Sequence, residues 1–204
     1  GFQVACHAIG DDATSQLLDI LEGLVRKNGA RDRRLRVEHA QHIAPDAIPR
    51  FAKLGTIASM QPYHAADDGR WASKPLGAAR IHDAWPTRSL LDQGACVTFG
   101  SDWPVAPLDP IGAIAAAVLR RTTDGQFPGG FAPEQRISVG EALTAYTRSN
   151  AFAGFQEDRL GQLTPGRLAD FVVLDRNPFD VSAEDLNRLV IVRTVVDGAD
   201  RFQG

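Results

Sequence analysis

The sequence has few cysteines and no long apolar run, and each shortage excludes a class of protein. It contains two cysteines in 204 residues. Cys6 and Cys96 each lie in a short apolar run, which is more typical of buried free thiols than of a disulfide framework. No apolar stretch approaches the roughly 20 residues that a transmembrane helix needs. We therefore expect a protein that has no membrane partner and resides in a reducing compartment, the cytoplasm.

Basic charge and targeting signals are also lacking. The net charge is -3, whereas binding to nucleic acid requires a basic surface, so no nucleic-acid partner is expected. The first residues contain no basic segment, no Met and no cleavage-site pattern, which excludes a signal peptide and suggests a chain that starts within a strand. Hydrophobic residues make up 44% and charged residues 23%, which is typical of a soluble globular protein.

Short β-like runs alternate with helical patterns in the first part of the chain. The predicted strands cover residues 2–7, 35–39, 56–60 and 96–99, and the predicted helices cover residues 13–27, 45–54, 86–93 and 110–121. Residues 61–83 are predicted to be irregular. The alternation implies parallel strands joined by right-handed crossovers. The predicted fold is therefore α/β. Its four βα units are half of the eight in a TIM-type (β/α)₈ barrel, which typically needs about 250 residues.

The end of the chain has a different pattern. Ser138 and Glu141 form a capping-box signature that predicts a helix to about Ala153. Turn residues then precede two predicted strands at residues 171–174 and 189–196. We therefore divide the chain into residues 1–155, the half-barrel, and residues 156–204, a partial small β domain.

Three polar residues occupy the same architectural position, the end of a predicted barrel strand. His7 follows the first strand, His39 the second and Asp102 the fourth. Active sites of such barrels lie at this end of the strands. Imidazole and carboxylate groups are the usual ligands of zinc and similar divalent ions. Although a single histidine at a strand end is more often structural, the joint placement predicts a metal site.

The remaining histidines and tryptophans have less specific surroundings. His64, with Tyr63 before it, follows the third strand and is a candidate substrate contact, as is Trp103. Both tryptophans, Trp71 and Trp103, are equally compatible with ordinary packing. We expect His42 to be structural or to lie at the rim of the site, and His82 to lie outside it.

Six motifs occur in order along the chain: HAIGDDA (7–13), VEHAQ (37–41), MQPYH (60–64), FGSDWPV (99–105), ISVGEAL (137–143) and GQLTPGRLADFVVLD (161–175). Together they make the sequence resemble the amidohydrolase superfamily, in particular the amidohydrolase 3 branch, which includes enzymes similar to N-substituted formamide deformylase. The resemblance implies that His7, His39 and Asp102 end strands five, six and eight of the barrel. It also implies that they bind one or two metal ions, zinc being expected, and that Asp102 is the base for a metal-activated water that attacks a small-molecule amide.

The sequence departs from the family pattern in two respects. It contains no His-x-His pair, which the family has after strand one. The family's metal-bridging residue after strand four has no counterpart either. We therefore expect the C-terminal portion of a hydrolase that cleaves C–N bonds, with a missing N-terminal half. The open strand edges predict a homo-oligomer or association with that half. The alternative is a noncatalytic half-barrel that binds metal weakly or assembles with another chain.

Overall fold

The strands of the N-terminal sheet are parallel and lie side by side in chain order. The computed structural model of the chain describes residues 2–204. The sheet consists of β1 (Ala5–Ala8), β2 (Arg36–His39), β3 (Ile57–Met60) and β4 (Val97–Phe99). β2 pairs with β1 and β3, and β3 pairs with β4. Among the described residues, β1 and β4 are thus each paired along one edge only.

Helices connect these strands and follow the last one. They are α1 (Asp11–Asn28), α2 (Ile48–Leu54), α3 (Pro62–Asp68), α4 (Ser73–Arg80), α5 (Thr87–Asp92), α6 (Pro110–Leu119), α7 (Val139–Tyr146) and α8 (Arg148–Ala153). The alternation of parallel strands and helices confirms the predicted α/β class. No helix among residues 2–204 is long and apolar enough to cross a bilayer.

The prediction of an irregular segment at residues 61–83 was wrong. This segment forms α3, α4 and a 3₁₀ helix at Ile81–Asp83. Pro62 occupies the first turn of α3, where its missing N–H is not needed. Gly77, with a φ of 74°, interrupts α4, so neither helix is long enough to show a clear apolar period.

Two other helices differ from the prediction at their ends. α2 begins at Ile48 and not at Pro45, because residues 45–47 form a turn and Pro49 takes the first helical turn. The capping box of Ser138 and Glu141 is present at the start of α7. The predicted long helix is nevertheless divided at Thr147, whose φ of −117° and ψ of −83° are not helical.

The apolar core lies between the sheet and its helices. Buried side chains from both layers meet there, among them Leu18, Val37, Phe51, Met60 and Trp85. Arg36 and Glu38 alternate with the core residues of β2 and pair with each other, with Arg36 Nε 2.8 Å from Glu38 Oε1. Because they alternate with buried Val37, these two charges lie on the face of β2 that points away from this core, where they remain partly exposed.

The end of the chain forms a separate antiparallel sheet of β5 (Phe171–Leu174), β6 (Ile191–Val196) and β7 (Ala199–Gln203). A 3₁₀ helix at Ala183–Arg188 precedes β6. Buried Leu186 and Leu189 pack against Ala115 of α6, so this sheet is anchored to the parallel-sheet region. Cys6 and Cys96 are free, as predicted, but they are half-buried and not fully buried.

Candidate metal centre

The strand-end residues predicted from the sequence gather around one cavity of about 380 Å³ at the carboxyl end of the parallel sheet. Such positions converge because parallel strands all end at the same edge. The lining residues are His7, Ile9, His39, Gln41, Tyr63, His64, Asp67, Asp68, Asp102, Val105 and Ala106. The cavity therefore contains imidazole, carboxylate and amide groups together.

The backbone at two of these positions adopts a left-handed conformation. His39, the last residue of β2, has a φ of 76°, and Asp102, three residues after β4, has a φ of 61°. Ala40 has a φ of 46°. For residues other than glycine this conformation costs about 1–2 kcal/mol each, so the turns after β2 and β4 are held by their surroundings. Such strain is concentrated at functional sites.

The four polar side chains of the centre are close neighbours. The rings of His7 and His39 meet edge to face, with 4.5 Å between their centroids. His39 and His64 are nearly parallel at 6.1 Å. His64 Nε2 lies 3.7 Å from Asp102 Oδ2. His39, His64 and Asp102 each offer a ligand atom within 4.8 Å of the others.

His39 and His64 each contact a glutamine through Nδ1. His39 Nδ1 lies 3.0 Å from Gln61 Oε1, and Gln61 Nε2 reaches the Ser59 carbonyl oxygen at 3.5 Å. His64 Nδ1 lies 3.2 Å from Gln41 Nε2. Both glutamine side chains are buried. His39 therefore faces the oxygen of one amide, whereas His64 faces the nitrogen of the other.

Burial changes the ionisation of two groups of the cavity. The pKa of His64 is lowered, mainly because burial disfavours its charged form, although nearby Asp68 and Asp102 oppose this. The pKa of Asp68 is raised, first by burial, while His64 and a hydrogen bond from Gln41 partly offset the rise. Burial of His64 therefore disfavours its charged form.

Only one of the other candidates from the sequence belongs to this cavity. Tyr63 lines it, whereas Trp103 is 66% exposed and is not among the lining residues. His42 packs against Trp85 at 5.1 Å and His82 pairs with Glu134 at 2.6 Å. Neither histidine lines the cavity, which agrees with the structural and peripheral positions expected for them.

Sequence reasoning overlooked three residues of the centre, Gln41, Gln61 and Asp68. Gln41 is the last residue of the VEHAQ motif, and Gln61 directly follows the last residue of β3. Because amides are not typical metal ligands, neither position indicated a role in the site. Asp68 lies four residues after His64 on α3, a spacing that places both on one helix face. That signal was hidden because residues 61–83 were predicted to be irregular.

Comparison with known proteins identifies the family. A model described as "Amidohydrolase family" matches residues 1–200. The chain belongs to the amidohydrolase family. This confirms the resemblance inferred from the motifs, including the amidohydrolase 3 branch.

The amidohydrolase-family chain is similar to proteins about three times its length. It is 43% identical to Protein LONG AFTER FAR-RED 3 from Arabidopsis thaliana over 99% of the chain and 34% of that protein. It is 32% identical to N-substituted formamide deformylase from Arthrobacter pascens, over 100% of the chain and 37% of that enzyme. An uncharacterized metal-dependent hydrolase from Pyrococcus furiosus has a similar structure, with 33% identity and a TM-score of 0.74. That match covers 88% of the chain and 35% of the hydrolase.

The donor types in the cavity of this amidohydrolase-family protein fit a divalent metal. Zinc and related ions prefer imidazole nitrogens and carboxylate oxygens, and the clustered ligand atoms of His39, His64 and Asp102 are of these types. His7 adds another imidazole next to His39. The amide oxygen of Gln61 lies 3.0 Å from His39 Nδ1, a contact of the type that orients histidines in metal sites of other proteins.

Proposed function

We propose that this chain is part of a metal-dependent hydrolase that cleaves C–N bonds in amides or related small molecules. The observation that carries the proposal is the convergence of His7, His39 and Asp102 on one cavity at the carboxyl ends of the strands. The membership of the amidohydrolase family supports the reaction class. The similarity to a metal-dependent hydrolase supports a divalent ion, and the nitrogen and oxygen donors favour zinc.

His7, His39 and Asp102 would hold the metal. When bound, a divalent ion lowers the pKa of a water molecule and polarises a carbonyl oxygen. His39 presents its free nitrogen to the cavity because its Nδ1 faces the Gln61 oxygen. The strained turns at His39 and Asp102 fix the direction in which these side chains leave the backbone.

Asp102 is the proposed base. Its side chain is 35% exposed at the cavity, so its carboxylate can reach both water and substrate. It accepts a proton from the attacking water and returns it to the leaving nitrogen as the C–N bond breaks, which leaves a carboxylic acid and an amine as products. Tyr63 and His64, which line the cavity around this carboxylate, are proposed to contact the substrate.

We further propose that β1–β4 form half of an eight-stranded barrel and that β5–β7 form part of a small β-sandwich. Two observations support this, the one-sided pairing of β1 and β4 and the match to only about a third of each relative. In the proposed division, residues 1–155 belong to the barrel and residues 156–204 to the sandwich. Further strands from a longer chain or a second copy would complete both.

The test combines zinc binding with a hydrolysis assay on a panel of N-formyl and N-acyl amines. We expect zinc-dependent hydrolysis by the complete enzyme that contains this chain, and its loss in the His39→Asn variant. Asparagine tolerates the left-handed backbone at this position, so the variant removes the imidazole and spares the turn. Zinc binding without hydrolysis of any amine on the panel would instead support a noncatalytic metal-binding module.

A further inference from the structure

We propose that Gln61 and Gln41 hold His39 and His64 in opposite tautomers, which makes His64 a hydrogen-bond donor to Asp102 and not a metal ligand. The inference rests on the proposed function in assigning His39 and Asp102 to the metal centre. It also separates two histidines that distance alone would place in one ligand set, since both offer a nitrogen within 4.8 Å of Asp102 and of each other.

The tautomer of His39 follows from the contacts of Gln61. The amide nitrogen of Gln61 faces the Ser59 carbonyl oxygen, which only accepts hydrogen bonds. The amide oxygen therefore faces His39 Nδ1 and accepts from it. A neutral imidazole with its proton on Nδ1 has a lone pair on Nε2. His39 thus presents a metal-binding nitrogen.

The tautomer of His64 follows from the contacts of Gln41 in the same way, with the opposite result. Gln41 Nε2 lies 3.2 Å from His64 Nδ1. A side-chain amide nitrogen carries two hydrogens and accepts none, so Gln41 donates to His64 Nδ1. This nitrogen therefore keeps its lone pair, and the proton of His64 resides on Nε2.

The Nε2–H group of His64 points to one acceptor. Nε2 is buried and has no hydrogen-bond partner at normal distance among residues 2–204, and Asp102 Oδ2 lies 3.7 Å away. Hydrogen bonds of active sites are often long in the free protein and shorten when substrate binds. A protonated nitrogen cannot ligate a metal, so His64 acts as a positioning residue that orients the Asp102 carboxylate.

The direct test is nitrogen NMR of the protein labelled with ¹⁵N-histidine, recorded without zinc and with zinc. Long-range ¹H–¹⁵N correlations distinguish the two tautomers of each of the five histidines. The signals of His64 are assigned from their absence in the His64→Gln variant. Without zinc we expect His39 to carry its proton on Nδ1 and His64 on Nε2. With zinc we expect the His39 Nε2 signal to shift and His64 to keep its Nε2 proton.

A substitution of Gln41 tests the cause of the tautomer. Gln41→Glu replaces the donating amide with a carboxylate that only accepts, so the proton of His64 should move to Nδ1. Gln126→Glu is the matched control, because Gln126 is exposed in the loop after α6, outside the cavity, and should leave the His64 signals unchanged. In the complete enzyme, His64→Ala should lose at least about tenfold in turnover, the value of a hydrogen bond to a charged group. His64→Gln, which restores a side-chain N–H, should recover most of it.

The outcomes distinguish a failure of the tautomer proposal from a failure of the proposed metal centre. A zinc-free spectrum with the His64 proton on Nδ1, or loss of the Nε2 proton of His64 on addition of zinc, would overturn the proposal. If zinc moved the signals of no histidine, the metal centre of the proposed function would be wrong. The tautomer of His64 would then be decided by the zinc-free spectrum and the Gln41→Glu variant alone.

Discussion

The replacement of Asp102 by asparagine should separate chemistry from folding. Asp102 is 35% exposed, and His64 Nε2 lies 3.7 Å from its Oδ2. Its φ of 61° is a conformation that asparagine also adopts. We therefore expect the free energy of unfolding to change by no more than about 0.5 kcal/mol, the usual range for such surface changes. For a chain of this size, that corresponds to a shift in Tm of at most about 2 °C.

The catalytic effect of the same replacement should be large. Loss of a positioned base typically reduces the rate by about 10²–10⁴, so turnover of N-formyl and N-acyl amines should fall by that factor at saturating zinc. Asp197→Asn is the matched control, because Asp197 is an exposed aspartate with a φ of 52° in the C-terminal sheet region. Turnover by Asp102→Asn close to that of the wild type would remove Asp102 from the mechanism. Loss of folding together with activity would make its role structural.

Three further predictions concern stability and assembly. A hydrogen bond from Arg34 lowers the pKa of Glu157 to about 2. In urea unfolding, Glu157→Gln should therefore be less stable than the wild type above pH 4.5, the ordinary pKa of a glutamate. This difference in the free energy of unfolding should disappear as the pH falls to about 2. A difference that does not depend on pH would contradict the reasoning. Buried Arg120 donates to the carbonyl oxygens of Phe131, Trp85 and Ala84, so Arg120→Met should lower the free energy of unfolding by about 2–4 kcal/mol, unlike Arg201→Met at an exposed position. The one-sided pairing of β1 and β4 predicts a dimer or larger assembly of the isolated chain in light scattering; a stable monomer at high concentration would refute it.

The sequence predicted the elements whose apolar patterns are strong or whose signals are local. The alternation of strands and helices was sufficient for the α/β class, and Ser138 with Glu141 marked the start of α7. α3 and α4 were missed because Pro62 and Gly77 resemble loop residues when their positions in a helix are unknown. The division at Thr147 has no comparable signal, since it depends on how α7 and α8 pack against β4.

The site could be predicted where the backbone alone determines the position of a residue. His7 and His39 lie at the ends of parallel strands, so their meeting follows from the topology. The position of Trp103 depends on the path of a loop, and the sequence contains no information on it strong enough to predict its exposure. The roles of Gln41 and Gln61 depend on which atom of each amide faces a neighbour. That follows from the tertiary contacts of the two amides with Ser59, His39 and His64 and not from the spacing of residues.

The left-handed turns at His39 and Asp102 limit which amino acids can ever occupy these positions. β-branched residues are nearly excluded there by steric clash, whereas glycine, asparagine and aspartate are accepted. In a saturation library at either position, backbone strain would therefore exclude many variants before the chemistry of the side chain affected activity. Glycine and asparagine are accepted by the backbone but lack the imidazole or the carboxylate, so a substitution at these turns can preserve the fold and still abolish the site.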